Sequence, residues 1–197
     1  MTMSKGEETY QKILDVSIYF FAKDGIHKTS FSKIADALKM TKPSLYYYVK
    51  SKEELVHKVF DYIFDDYSFD AYFEKEKLTQ TTIEAYLIGG GHQFIEEIEE
   101  QNIILNLLNE FTLYAKRMEE KDETYMEKIK QSHQSFITGF AQILQQAEEF
   151  DLIKEEHIIL RAQTMALMLD NIQSYHTLGL GMDSKELWSF TVRQVFV

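Results

Sequence analysis

The 197-residue chain is 45% hydrophobic, enough to bury a sizeable core in one or two compact units, and carries a formal net charge of −11. Zero cysteine excludes disulfides and thiolate metal sites. No apolar run of about 18 residues and no signal peptide is visible, which predicts a soluble, cytoplasmic protein without a membrane partner.

The charge is unevenly spread. Residues 1–58 hold ten Lys/Arg and seven Asp/Glu, whereas the remainder holds 11 and 25. With a Debye length of about 8 Å at physiological salt, a distant acidic body is largely screened from a basic head. Net acidity therefore does not exclude a polyanionic partner for the first 58 residues.

From Glu7 to Asp24, Tyr10, Ile13, Leu14, Ser17, Phe20 and Phe21 recur at helical spacing, and Gly25 ends the pattern. Tyr19, Phe20 and Phe21 could offer a base-stacking platform, but core filling is the simpler reading of such spacing. Thr29 or Ser30 caps a short segment with Phe31, Ile34, Ala35 and Leu38 inward, and only Lys39 and Met40 separate it from the next cap, Thr41. Pro43 then lies in a first helical turn, where a missing N–H costs nothing. Leu45 and Tyr48 share the inward face, leaving Lys42, Pro43, Tyr46 and Tyr47 outward. Ser51 and Glu54 predict a capping box opening a further helix through Leu55, Val59, Tyr62 and Ile63, as far as Tyr67 or Phe73. Two short helices joined this tightly must cross steeply, as in a helix-turn-helix whose second member reads DNA.

At this point the residues resemble a known family. Gly25, Thr29, Ile34-Ala35, Leu45-Tyr46, Tyr48 and Lys50-Ser51-Lys52-Glu53-Glu54-Leu55 are similar to the DNA-binding domain of TetR-type transcriptional regulators, over about residues 9 to 60. Lys39 stands where that family usually has a turn glycine, and Pro43 and Val49 stand where Gly and Phe are frequent. Lys39 is therefore expected at φ > 0.

Beyond the head, the charged stretch Glu74 to Gln80 reads as a connection. Thr82 to Glu100 reads as a helix interrupted by Gly89-Gly90-Gly91, a triplet that is no phosphate loop because no Gly-Lys-Ser/Thr follows it. It implies either close helix packing, or a bend, or room for a ligand. His92 with Glu96 one turn on lacks the further acid a metal pair needs. Ile103 to Met118 mixes an apolar face with Asn106, Asn109, Glu110 and Tyr114, and Thr124 to Phe150 places Tyr125, Ile129, His133 and Phe136 on one side. Polar groups beside aromatics suit an orienting small-molecule pocket, for which His92, Asn106, Asn109, Phe111, Tyr114, His133 and Tyr175 are the candidates; satisfied polar residues at a core edge are the plainer reading. Glu155 or Glu156 starts a helix apolar around much of its circumference, which breaks at Gly179 and Gly181. Asp183 or Ser184 caps a last helix that is still apolar where the sequence stops at Val197, so a longer natural chain is expected.

The expected architecture is all-α: an N-terminal three-helix helix-turn-helix DNA-binding domain (1–50) and a C-terminal helical effector-binding and dimerisation domain (51–197). The helix from Ser51 is the connector, with about nine helices in all. Expected base contacts are Lys42, Pro43 and Tyr46, the last two by apolar contact such as a thymine methyl. Ser30, Thr41, Ser44, Tyr47 and Lys52 are expected on phosphates. The resemblance implies a homodimer whose interface includes Met165, Met168, Leu169, Ile172, Trp188 and Val192. It further implies a repressor released from a palindromic double-stranded operator by an unknown small-molecule effector. No cofactor or metal is expected, and no catalytic constellation appears: the histidines at 27, 57, 92, 133, 157 and 176 do not converge in sequence. The competing reading is a dimeric ligand- or protein-binding helical module without operator binding.

Overall fold

The computed structural model describes residues 4–65, 67–73, 78–100, 102–154, 156–177 and 179–196, with the side chains of 98, 100, 102, 105 and 173–177 also set aside. The expected connection at 74–77, the side chain of Tyr175 and the terminal Val197 thus lie outside the described residues. Among the described residues the fold is all-helical, with ten helices.

They fall into two compact units: residues 1–65 with 103–127, and residues 66–102 with 128–197. The expected boundary at 50/51 differs from this division, because α4 (Lys52–Phe64) and α7 (Asn102–Met118) pack with the head.

In the first unit, α1 (Lys5–Asp24) opens with a full capping box, in which Ser4 accepts from the Glu7 amide while the Glu7 carboxylate accepts from Ser4. Ile13, Leu14, Ile18 and Phe21 point inward at the predicted spacing. Ser30, rather than Thr29, caps α2 (Phe31–Ala37), accepting from the Lys33 amide. Thr29 is buried and donates to the carbonyls of Phe20 and Gly25, closing the α1–α2 turn. Thr41 caps α3 (Lys42–Tyr48), and Lys39 takes φ 53° in the turn before it, as the missing glycine predicted. Ser51 caps α4, but the Glu54 carboxylate reaches the Lys50 amide instead of the Ser51 amide, so the expected box is displaced by one residue. Phe60 then meets Phe64, Phe111 and Tyr125 at centroid distances of 4.5, 5.2 and 4.8 Å. Each such ring removes roughly 150–250 Å² from water.

The connector is shorter than predicted. It stops at Phe64, and Ser68, extended at φ −144° and ψ 161°, starts the separate one-turn α5 (Phe69–Tyr72). The break lets Phe69 and Phe73 stack at 4.6 Å and meet Phe140 edge-on, each at 5.1 Å, in the core of the second unit. That unit also contains α6 (Ile83–Glu100), most of α8 (Thr124–Glu149), α9 (Ile158–Thr177) and α10 (Ser184–Val195), the last capped by Asp183 as expected.

The glycine triplet does not interrupt α6. A Cβ on Gly90 would lie 2.4 Å from the Phe73 ring, and one on Gly91 would lie 2.0 Å from the Trp188 indole nitrogen. Close packing is therefore what two of the three glycines serve. Among the described residues no helix is long and apolar enough to cross a membrane.

Candidate nucleic-acid interface

The second helix of the helix-turn-helix is held by its buried side and displays the rest. Leu45 and Val49 are fully buried, whereas Lys42, Pro43, Ser44, Tyr46 and Tyr47 are exposed, with Tyr46 at 51% and Tyr47 at 85%. The Thr41 hydroxyl accepts from the Ser44 amide at 3.3 Å and lies 2.8 Å from the Ser44 hydroxyl, so both polar groups cluster at the helix start. Lys42 sits beside them with its cation in solvent. Donors, an ammonium and two aromatic rings thus share one short exposed face. Such a face can approach a phosphate backbone while presenting apolar and hydrogen-bonding surface to a groove.

The remaining predicted phosphate residues lie at neighbouring helix starts. Ser30 is exposed at the N-terminus of α2. Lys52, at the N-terminus of α4, is half-buried and donates to the His27 carbonyl oxygen at 3.1 Å. That acceptor relieves the cation's conflict with the helix dipole without an anion. Burial pushes the Lys52 ammonium below its usual pKa, against the opposing pull of Glu53. Tyr19 is exposed but hydrogen-bonded by Lys23, and Phe21 is fully buried, in keeping with core filling for that aromatic run.

Two features escaped the sequence reading. Thr9 and Lys12 of α1 join Leu38, Met40, Pro43, Ser44, Tyr47 and Tyr48 around a cleft of about 740 Å³ beside the exposed face. The only prior signal was Lys12 on the polar side of α1. The α1–α2 turn is also gripped from outside the helix-turn-helix: the Glu110 carboxylate accepts from the Ile26 amide at 3.2 Å, and the His27 ring lies 6.0 Å from Tyr114.

Residues 13–59 match the model of the bacterial regulatory proteins of the tetR family. The match spans α2 and α3 with parts of α1 and α4, so the family likeness is that of the helix-turn-helix head. Over 60 residues it is 33% identical to the HTH-type transcriptional regulator AcrR of Shigella flexneri, a match covering 30% of this chain and 28% of that relative. The fold likeness is broader. A TetR-like transcriptional regulator from Rhodococcus superposes with a TM-score of 0.72 at 17% identity over 98% of this chain and 97% of that one. The fatty acid degradation regulator FadR of Bacillus halodurans gives 0.69 at 16% identity over 100% and 97%.

The residues expected to line an effector pocket are divided between the two units. In the first, Phe111 and Tyr114 are buried, and burial raises the pKa of both Tyr114 and its ring neighbour Tyr125. Asn106 and Asn109 are exposed on α7, so their amides face solvent. In the second, His92 Nε2 lies 3.1 Å from the Lys185 carbonyl oxygen and 2.9 Å from the Ser189 hydroxyl, and Glu96 pairs with Lys185 at 2.9 Å. Both are thus engaged in fastening α6 to α10. His133 pairs with Asp170 at 3.2 Å, and that bond raises its pKa despite opposing desolvation. Among the described residues no group of three or more acidic or histidine side chains could hold a metal ion.

Met165, Leu169, Ile172, Trp188 and Val192 are buried within the second unit, and Met168 is half-buried. These five fill the α6–α9–α10 core because their positions on α9 and α10 turn toward the neighbouring helices. The exposed apolar residues are others: Leu160 at 58%, Leu167 at 60% and Phe190 at 59%.

Proposed function

We propose that the chain is a DNA-binding transcriptional regulator that acts as a homodimer on a palindromic operator and represses until a small molecule binds its helical body. The carrying observation is the exposed face of α3, where Lys42, Pro43, Tyr46 and Tyr47 project from a helix anchored by buried Leu45 and Val49. Lys42 reads base edges through hydrogen bonds, and Pro43 and Tyr46 read them through apolar contact. Ser30, Thr41, Ser44, Tyr47 and Lys52 meet phosphates and set the register.

The need for a dimer is physical. One module of this size covers only about 600–1,000 Å² of protein surface on DNA, and two heads about one or more helical turns apart double the area and demand a palindrome. An exposed apolar stripe supports the α9–α10 face as the site of pairing. On α9, Leu160, Thr164, Leu167 and Asn171 form one exposed stripe, and on α10 Phe190 is exposed. Thr164 and Asn171 donate to the carbonyls of Leu160 and Leu167, at 2.8 and 2.7 Å, so the stripe's polar groups are satisfied within their own helix. A partner can cover it without stranding a donor.

The effector acts by shifting α4, which carries the head's connection, and so changing the separation of the two heads. Reciprocity then requires operator DNA to weaken effector binding by the same factor by which effector weakens DNA binding. The decisive experiment is selection of bound duplexes from a randomised library at two salt concentrations. An enriched palindrome with a steep salt slope supports the reading, and weak binding without enrichment overturns it.

A further inference from the structure

We infer that Phe31 is the positioning residue for Tyr46, the aromatic side chain that faces base edges. The inference rests on the operator-binding reading given above. Tyr46 is half exposed, and a ring on a helix surface that no neighbour restrains samples more than one rotamer. Reading a base edge by apolar contact requires one direction. The Phe31 ring supplies it: the two centroids are 5.0 Å apart with planes tilted by 31°, a separation within the range of aromatic contact.

Phe31 is itself fixed from two sides. It is the first residue of α2, directly after Ser30, whose hydroxyl accepts from the Lys33 amide at 3.2 Å and holds the backbone there. It is also half-buried, so its ring is not free to leave Tyr46 for solvent. Ser30 and Phe31 therefore tie a phosphate-facing cap to a base-facing ring through one peptide bond. Tyr47 lacks such support. It is almost wholly exposed, and among the described residues its ring pairs with the edge of its neighbour Tyr48, at 5.3 Å, which suits an adaptable phosphate contact rather than a directed one.

The test compares the natural chain with Phe31→Leu, Phe31→Tyr and Tyr46→Phe by selection from the randomised library, with binding then measured on the selected site and on the same site carrying deoxyuridine for thymidine. Removing the thymine methyl should cost the natural chain about fourfold at the position under Tyr46, the worth of one buried carbon. It should cost Phe31→Leu nothing, since that variant has already lost preference there. Phe31→Tyr and Tyr46→Phe, which keep both rings, should retain the preference. Thermal unfolding and the salt slope of Phe31→Leu should stay close to those of the natural chain, and if that variant fails to fold, Phe31→Met takes its place under the same criteria. Equal weakening on all duplexes with an unchanged base profile would make Phe31 a filler of the α2–α3 contact and overturn the inference. Absence of any enriched sequence with the natural chain would instead overturn operator binding, and this inference with it.

Discussion

Gly25 leaves α1 at φ 88° and ψ 151°, a region essentially closed to residues with a Cβ, and a Cβ built there would lie 3.2 Å from the Glu110 carboxylate. Gly25→Ala should therefore lose about 1–3 kcal/mol in urea denaturation, and adding Glu110→Ala should not recover the backbone share of that loss. Lys42 and Lys52 differ in a way binding can read. Lys52→Ala should weaken every duplex alike and reduce the salt slope by about one, while Lys42→Ala should also blur base preference. Equal loss of specificity from both would remove the division of roles. His133 carries a pH term of definite sign. Its pKa is raised by the bond to Asp170, so the stabilisation is full below the ordinary histidine range and disappears as pH rises through the raised value. Unfolding of His133→Gln across that window should lack this loss, though the pair's exposure keeps the effect small. At this scale the head was legible and the body was not. Thr41, Pro43 and Ser51 signal helix starts by local chemistry, whereas the partner of His92 is a carbonyl 93 residues away, which no local pattern announces.

Helix α6 carries its own control experiment at three consecutive positions. Gly89 has open space where a Cβ would go, while Gly91 faces the Trp188 indole nitrogen at 2.0 Å. Gly89→Ala should stabilise by about 0.5–1 kcal/mol through helix propensity. Gly91→Ala should instead destabilise, because either the indole or the helix must shift. Calorimetry on the two variants reads both signs, and destabilisation by both would mean that the triplet tolerates no helix former. The interruption expected here followed from reading glycine as a breaker, but burial of Phe73 and Trp188 against the bare backbone outweighs that weak local preference. The end of α4 was missed for a related reason. Apolar spacing continues past Phe64 because Tyr67, Phe69 and Phe73 are all core residues, yet Ser68, which can cap, marks where the helical register restarts.

For the whole molecule, the exposed stripe on α9 sets the expected assembly. Leu167→Glu combined with Phe190→Glu should turn a dimer into a monomer in sedimentation. It should also lower affinity for a palindromic site by about a hundredfold while sparing binding to a half-site. Dimers that persist in that variant would move the interface elsewhere. The sequence could not separate this surface from the core beneath it. On α9 Met165 and Leu169 look no more buried than Leu160 and Leu167 when apolar residues surround most of the helix, and only the placement of α6 and α10 distinguishes them. The all-helical fold needed no such discrimination, since short capped helices at fixed spacing specify the head on their own.

Trp188 is the chain's one tryptophan, wholly buried with its indole donating to the Leu87 carbonyl oxygen at 2.9 Å. Intrinsic emission excited at the red edge of protein absorption therefore comes from a single fluorophore in the second unit, remote in sequence from α2 and α3. Compounds can be screened for a spectral shift without labels. A shift on adding operator DNA alone would be an optical signature that the two units exchange information.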